Sequence, residues 1–259
     1  MAPEPVFALR DVERRYGSHT ALEIGALDLG EPGFTAVLGQ NGSGKSTLIG
    51  LLSRRFPPSA GTVVLSGQPV GKLGATAFAR RVGHLGQLMP SAPGLTVREL
   101  VGLGRFPWRG PFAPMRPQDD AIVAASIEKV ALGALADRLV DTLSGGERQR
   151  AWIAMLLAQE TEVLLIDEPT SALDIGLQVE ALKLLRDLAD QGRAIVAVLH
   201  DINLACRYAD RVVALRRGRV VFDGAPRSFM EAERLSAVFD VEMCLATHPR
   251  AGTPVALVG

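Results

Sequence analysis

Apolar and polar positions alternate along the first forty residues, the period of a half-buried strand. "FALRDVERRY" (7–16) and "TALEIGALDL" (20–29) predict two such strands, and "FTAVLGQ" (34–40) predicts a third around a short apolar run. "GKSTLIGLLSRR" (44–55) then changes to helical spacing, and Pro57-Pro58 stops it. "GTVVLSG" (61–67) and "RVGHLGQ" (81–87) predict two further strands. From about 91 to 160 the texture is different. "TVRELVGLGR", "QDDAIVAASIEKVAL" and "GERQRAWIAMLLAQE" each carry apolar residues at helical spacing, with no convincing strand between them. Strand and helix alternate again in "EVLLID", "GLQVEALKLLRDLAD", "AIVAVLH" and "INLACRYA", the rhythm of a parallel sheet covered on both faces. "RVVALRRGRVVFDG" (211–224) predicts a hairpin turning at Arg217-Gly218, and the tail predicts a short helix near 227–239 and two edge strands.

The expected fold class is therefore α/β. Residues 1–90 and 161–259 form the α/β core, with a mostly parallel sheet and an antiparallel part, and about 91–160 form an inserted α-helical subdomain.

Composition narrows the function classes. The 28 basic side chains cancel the 28 acidic ones, so no global field points to nucleic acid or anionic lipid. Arg216-Arg217-Gly218-Arg219 reads as a solvated turn. Cys206 and Cys244 have neither metal-ligand spacing nor a disulfide framework, and such sparse usage suits a reducing compartment. "MAPEPVFALR" lacks the basic and apolar regions of a secretory signal. No apolar run approaches the roughly 18 residues that suggest a membrane span. A soluble protein is expected, and any membrane crossing falls to another chain.

Chemistry enters with "GQNGSGKST", Gly39 to Thr47, which fits G-x-x-x-x-G-K-[ST] between a predicted strand and a predicted helix. In that context Gly39, Gln40, Asn41, Gly42, Ser43 and Gly44 supply backbone N–H groups that converge on phosphate oxygens. Lys45 supplies charge for the outer phosphates and the Ser46 hydroxyl a ligand for Mg²⁺, with Thr47 next to it in the first helical turn. "EVLLIDEP" (162–169) is the expected partner, a buried strand ending in carboxylates. Asp167 suits the Mg²⁺ shell. Glu168, next along, can orient or deprotonate an attacking water, a role that contributes about 10²–10⁴-fold to rate. His200 closes the strand "AIVAVLH" at the sheet edge where ligands bind in open α/β folds, and Asp201 reads as a helix N-cap. Gln87 ends "VGHLGQ" and can reach Mg²⁺ or water; an ordinary loop glutamine is its alternative.

"LSGGERQR" (143–150) opens a second helix. Asp141 and Ser144 are N-cap types, and Glu147 stands three residues after Ser144, as in a capping box. Capping does not require consecutive glycines, however. Gly145-Gly146 leave bare backbone donors beside the Ser144 hydroxyl, which suits a phosphate laid against the turn.

In this order and spacing, Gly39–Thr47, Gln87, Leu143–Arg150, Leu164–Glu168, Ser171–Asp174 and His200 resemble the ATP-binding subunit of ATP-binding cassette (ABC) transporters. The resemblance covers essentially the whole chain, as one nucleotide-binding domain. It implies ATP hydrolysis with Mg²⁺ and two copies facing head to tail. Each ATP would then lie between one copy's phosphate loop and the other's Ser144, Gly145 and Gly146. It also implies that "SALD", ending at Asp174, crosses between the sites, and that Tyr16 stacks on the adenine; the alternative for Tyr16 is an exposed strand aromatic. "GLTVRELVGLGRFPWRG" (94–110), "ERQRAWIAMLLAQ" and "DEPTSALDIGLQVE" are similar to ATPases of iron-chelate importers, closest to those for ferric hydroxamate siderophores, with the cobalamin and haem branches near. The implied partners are two permease subunits and, indirectly, an external substrate-binding protein; the implied location is the cytoplasmic face of the inner membrane. A cassette ATPase without a permease, as in iron–sulfur cluster assembly, shares every nucleotide motif.

Overall fold

The computed structural model describes residues 6–87, 90–110, 113–168 and 175–259. In chain order the elements begin β1 (Phe7–Tyr16), β2 (His19–Leu29), β3 (Gly33–Leu38), α1 (Lys45–Leu52), β4 (Ala60–Leu65) and β5 (Gln68–Pro69). Next come α2 (Ala75–Ala79), β6 (Val82–Leu85), α3 (Val97–Gly102), α4 (Phe106–Arg109), α5 (Pro117–Lys129), α6 (Gly145–Ala158) and β7 (Val163–Asp167). The chain ends with α7 (Ile175–Asp190), β8 (Ala194–Val198), α8 (Ile202–Tyr208), β9 (Arg211–Arg216), β10 (Arg219–Gly224), α9 (Pro226–Phe229), α10 (Ala232–Phe239), β11 (Met243–Thr247) and β12 (Pro254–Val258). Two compact units result: Met1–Lys72 with Leu185–Gly259, and Leu73–Leu184.

In the first unit, β2, β1, β4 and β5 form an antiparallel sheet in that order. Alternation buries Phe7 and Leu9 of β1 and exposes Arg10. The pairing slips near the end of β1: Arg14 faces Leu22 and Arg15 faces Thr20, so Ala21 is bulged out of register. β3 runs parallel to both β8 and β9, and β10 returns antiparallel to β9. The five residues Phe34–Leu38 and all of β8 are buried, as their continuous apolar runs predict. The β9–β10 turn falls at Arg217-Gly218, where both residues have positive φ (49° and 80°), the conformation of a two-residue hairpin loop. Its arginines are tied down by charge: Arg219 pairs with Glu23 at 2.7 Å and Arg216 with Asp240.

Two boundaries differ from the pattern. The helix expected over 44–55 stops at Leu52, before the prolines. Arg54 takes a left-handed conformation (φ 59°), its N–H donates to the Leu51 carbonyl, and Arg55 N–H donates to that of Gly50. This is a Schellman closure with arginine where glycine is usual. The tail helix expected near 227–239 is two helices, because Met230 leaves helical geometry and Glu231 is the extended cap of α10. The break buries Phe229 and Met230 side by side.

In the second unit, α3, α5 and α6 pack on one another through Val97, Leu100, Val101, Val123, Ile127 and Ile153, all buried. Among the described residues from Thr96 to the start of α6 the only β pairing is an isolated bridge, Thr96 to Leu139. β6 and β7 lie parallel in the same unit, with Leu85 opposite Ile166. The short α2 and α4 were not legible from periodicity. The corner at Phe106-Pro107-Trp108 is tightly tied: Trp108 Nε1 donates to the Gln159 carbonyl (2.7 Å), and Arg80 Nε donates to that of Pro107 (2.8 Å).

A buried ion pair joins these helices. Arg105 Nε donates to Asp119 Oδ1 (2.9 Å), and its Nη1 reaches the Ala158 carbonyl (2.7 Å) and Glu160 (2.8 Å). The hydrogen bond from Arg105 holds the Asp119 carboxyl below the usual carboxylate range, although burial opposes it. A depressed carboxylate stabilises the fold above its unfolded pKa of about 3.9, and that contribution is lost as pH falls through the folded value. Asp119→Ala strands the Arg105 charge with only Glu160 and one carbonyl. We expect it to lower stability by about 3 kcal/mol, the low end for breaking a buried pair, read as a reduced urea midpoint at neutral pH.

Candidate active site

The phosphate loop leaves β3 at Leu38 and re-enters regular structure at Lys45, the first residue of α1. Gly44 shows why glycine is needed there. Its φ is 104°, and an added Cβ would lie 2.9 Å from the carbonyl oxygen of bulged Ala21 and 2.9 Å from Leu22 Cδ1. The loop is braced by the hairpin tip: Gly218 N–H donates to the Ser43 carbonyl (3.0 Å), while Glu23 N–H donates to that of Gly218 (2.7 Å). The Gln40 amide donates to the Phe239 carbonyl at the end of α10. Lys45 is 5% exposed, and its Nζ donates to the carbonyls of Gly39 and Gln40, both at 2.8 Å. Asn41, Gly42 and Ser46 are exposed, and Thr47 is half-buried. The Ser43 hydroxyl is buried without a hydrogen-bond partner among the described residues. A loop of open backbone, a buried cation and an orphaned hydroxyl fits a polyphosphate anion.

Two further groups of the first unit share this neighbourhood. Leu199 N–H, just past β8, donates to the Val37 carbonyl (3.1 Å), so the chain carrying His200 leaves the sheet at the same end as the phosphate loop. His200 lies two residues beyond the strand rather than closing it, and is exposed. Asp201 is the N-cap of α8, accepting from Leu204 N–H at 2.8 Å. Tyr16, the last residue of β1, is 47% exposed, with the Arg14 guanidinium over its ring at 4.6 Å.

The second unit brings together two residues chosen from sequence for catalysis. Gln87 Nε2 donates to Glu168 Oε2 at 2.6 Å across 81 residues of chain. The parallel pairing of β6 and β7 makes the contact, because the segments leaving Leu85 and Asp167 emerge side by side. Gln87 therefore sits two residues past its strand, not at its end. Asp167 is buried at the last position of β7. Glu168 is held at φ 56°, a left-handed conformation that costs about 1–3 kcal/mol for a residue with a side chain. Such strain persists only where surrounding structure imposes it, and it turns Glu168 away from the direction β7 would give it.

α6 starts as its sequence predicts, with Ser144 as N-cap; Asp141 lies in the preceding single turn, not at the cap. Ser144 N–H and Oγ–H both donate to Glu147 Oε2 at 2.8 Å, and Glu147 N–H donates back to Ser144 Oγ at 3.3 Å. These bonds, the backbone one foremost, hold the Glu147 carboxyl below its ordinary range. The adjacent glycines differ in surroundings. An added Cβ on Gly146 would lie 2.6 Å from Leu177 Cδ1, so packing against α7 excludes a side chain there. Gly145 faces open space. Ser171 to Asp174 lie outside the described residues, so Asp174 has no structural account here.

A family model described as ABC transporter matches residues 24–171, more than half of the chain. The chain belongs to the ABC transporter family. This ABC cassette is 43% identical over 241 residues to the ferric enterobactin transport ATP-binding protein FepC of Escherichia coli, covering 93% of this chain and 89% of that protein. It is 39% identical to the iron(3+)-hydroxamate import ATP-binding protein FhuC of Bacillus subtilis, covering 93% of this chain and 90% of that protein. It is 38% identical to the hemin import ATP-binding protein HmuV of Thermobifida fusca, covering 97% and 88%. Its fold is similar to a chain of a metal-chelate type ABC transporter in an inward-facing conformation, with a TM-score of 0.85, 28% identity and 98% of each chain covered. A dimeric bacterial ABC transporter cassette matches with a TM-score of 0.75 at 28% identity, covering 85% of this chain and 98% of that one.

The cassette is thus an ATPase that binds ATP. Among the described residues no helix is long and apolar enough to cross a membrane. Burial pushes the half-buried Cys206 thiol up to about 12, with Asp201 adding to the shift, which leaves it inert at neutral pH. Two features of the site escaped the sequence reading, the Gly218 brace and the Arg14 contact with Tyr16. The brace depends on long-range pairing that no local pattern announces, and the Arg14 contact, though local to β1, is completed by Phe56 from a distant segment.

Proposed function

We propose that this ATPase drives uptake of an iron chelate, a ferric siderophore, through two separate permease subunits at the cytoplasmic face of the membrane. The carrying observation is that relatives matching over nine-tenths of the chain are named for ferric enterobactin transport, siderophore transport and iron(3+)-hydroxamate import. In this reading Gly39–Thr47 bind the ATP phosphates, with Lys45 on the outer two. Ser46, Gln87 and Asp167 would hold Mg²⁺, which when bound would supply positive charge against the phosphate oxygens. Glu168 orients or deprotonates the attacking water, His200 hydrogen-bonds the γ-phosphate, and Tyr16 stacks on adenine.

Two copies close around two nucleotides, each adding Ser144, Gly145 and Gly146 to its partner's ATP, with Asp174 linking the sites. Binding free energy favours the closed state, and hydrolysis releases it. The groove below the helical subdomain, reached through the Gln87 loop and residues near 91–110, would receive a short permease helix, and Phe106 and Trp108 of that segment are half-exposed. An external binding protein delivers the chelate, which never touches this chain. Haem is the second reading, because hemin import proteins match at 38–41% identity.

The test is to isolate the tagged protein from its native membranes and identify what accompanies it. A polytopic permease is the expected companion. ATP-dependent uptake by the reconstituted complex should then favour a ferric siderophore over haem. Recovery without any membrane protein would favour a permease-free cassette ATPase instead.

A further inference from the structure

The aromatic at the end of β1 is not isolated. The Arg14 guanidinium lies over the Tyr16 ring at 4.6 Å and over the Phe56 ring at 4.7 Å, and the two rings meet edge to face with centroids 6.1 Å apart. Arg14 Nη1 donates to the Pro57 carbonyl at 3.0 Å, while its Nε is buried without a hydrogen-bond partner among the described residues. A cation placed this way is held chiefly by the two π faces. Phe56 in turn lies against α1: an added Cβ on Gly50 would fall 2.6 Å from Phe56 Cε1. A continuous stack therefore runs from the helix behind the phosphate loop through Phe56 and Arg14 to Tyr16. The bulge at Ala21 sits beside it, next to the pairing of Arg14 with Leu22.

We propose that Arg14 is a positioning residue of the nucleotide-base subsite. It covers one face of Tyr16 and fixes the ring's distance from α1, which leaves the opposite face for a purine at a set span from Lys45. It also draws electron density from the ring, which favours stacking with an electron-rich base. The inference rests on the reading that Tyr16 stacks on adenine; the role of Arg14 goes beyond it.

Equilibrium titration of the full chain with ATP, and with inorganic tripolyphosphate as a probe that lacks the base, separates the two. Arg14→Met should weaken ATP binding about three- to tenfold, the range of a partly desolvated cation–π contact. It should leave tripolyphosphate affinity and kcat at saturating ATP unchanged. Arg14→Lys, which keeps the charge and loses the planar fork, should fall between wild type and Arg14→Met, and it serves where the methionine variant does not fold. Tyr16→Ala should weaken ATP alone by about fivefold or more, as loss of a stacking platform does. In that background Arg14→Met should have no further effect on ATP.

If Tyr16→Ala lowers ATP affinity selectively and Arg14→Met does not, the Arg14 assignment is overturned while the Tyr16 reading survives. An equal loss for ATP and tripolyphosphate in Arg14→Met also overturns it, because a brace of the fold would act on both ligands. If Tyr16→Ala leaves the ratio of the two affinities unchanged, the base-platform reading falls, and this inference with it.

Discussion

Lys45→Ala is expected to abolish most ATP turnover, with kcat/KM reduced on the order of 10²-fold or more. The structure shows why one side chain weighs so much. The ammonium group is nearly sealed from water and already oriented by the Gly39 and Gln40 carbonyls. Little reorganisation is needed when phosphate oxygens arrive, so the cation acts at close to full strength. Alanine removes that charge and leaves the Gly39 and Gln40 carbonyls without the ammonium group they accept from. Isothermal titration with ATP and a phosphate-release assay check the result. Wild-type hydrolysis by the variant would refute the assignment of the phosphate loop.

Glu168→Gln should separate binding from chemistry. The two side chains have nearly the same shape, and a glutamine can still accept the hydrogen bond that Gln87 Nε2 now gives to Glu168. The strained backbone at position 168 is unchanged by the swap. What disappears is a carboxylate able to take a proton from water, and kcat should fall about 10²–10⁴-fold with ATP affinity retained. Under the proposal of a shared nucleotide site, ATP then accumulates a closed pair of subunits, visible by size-exclusion chromatography with light scattering. Adding Ser144→Arg to that variant should prevent the pair from forming. A Glu168→Gln protein that stays monomeric with saturating ATP at high protein concentration would sink the proposal.

Much of the site could be read directly from residues because its chemistry is local. A phosphate loop needs glycines, a lysine and a hydroxyl in one short stretch, so Gly39–Thr47 declared itself. The capping box at Ser144 and Glu147 is likewise a relation across three residues, and it forms as expected. Contacts built by tertiary pairing were not legible. Gln87 and Glu168 each looked apt for catalysis, but their hydrogen bond follows from the parallel register of β6 and β7. The bulge at Ala21 makes Gly44 sterically necessary, yet nothing in "HTALEIGALDL" marks it.

The fold shows the same division. Strands with clear alternation fell within a residue or two of their predicted limits, as β1 and β2 did. The early end of α1 was missed because a left-handed arginine did the work that a proline was expected to do. The tail helix was missed in part because its apolar spacing continues across the break at Met230. α2, five residues of "ATAFA", is too short to show any period.

One small bond bears on how such a machine can cycle. In the single chain the Ser144 hydroxyl already donates to Glu147, so under the proposal of a shared nucleotide site an arriving triphosphate must exchange one acceptor for another. Exchange of hydrogen bonds of similar strength yields only a modest net gain. Two subunits that met through such trades would hold together firmly enough to enclose the nucleotide and loosely enough to let go, a grip suited to repetition rather than permanence.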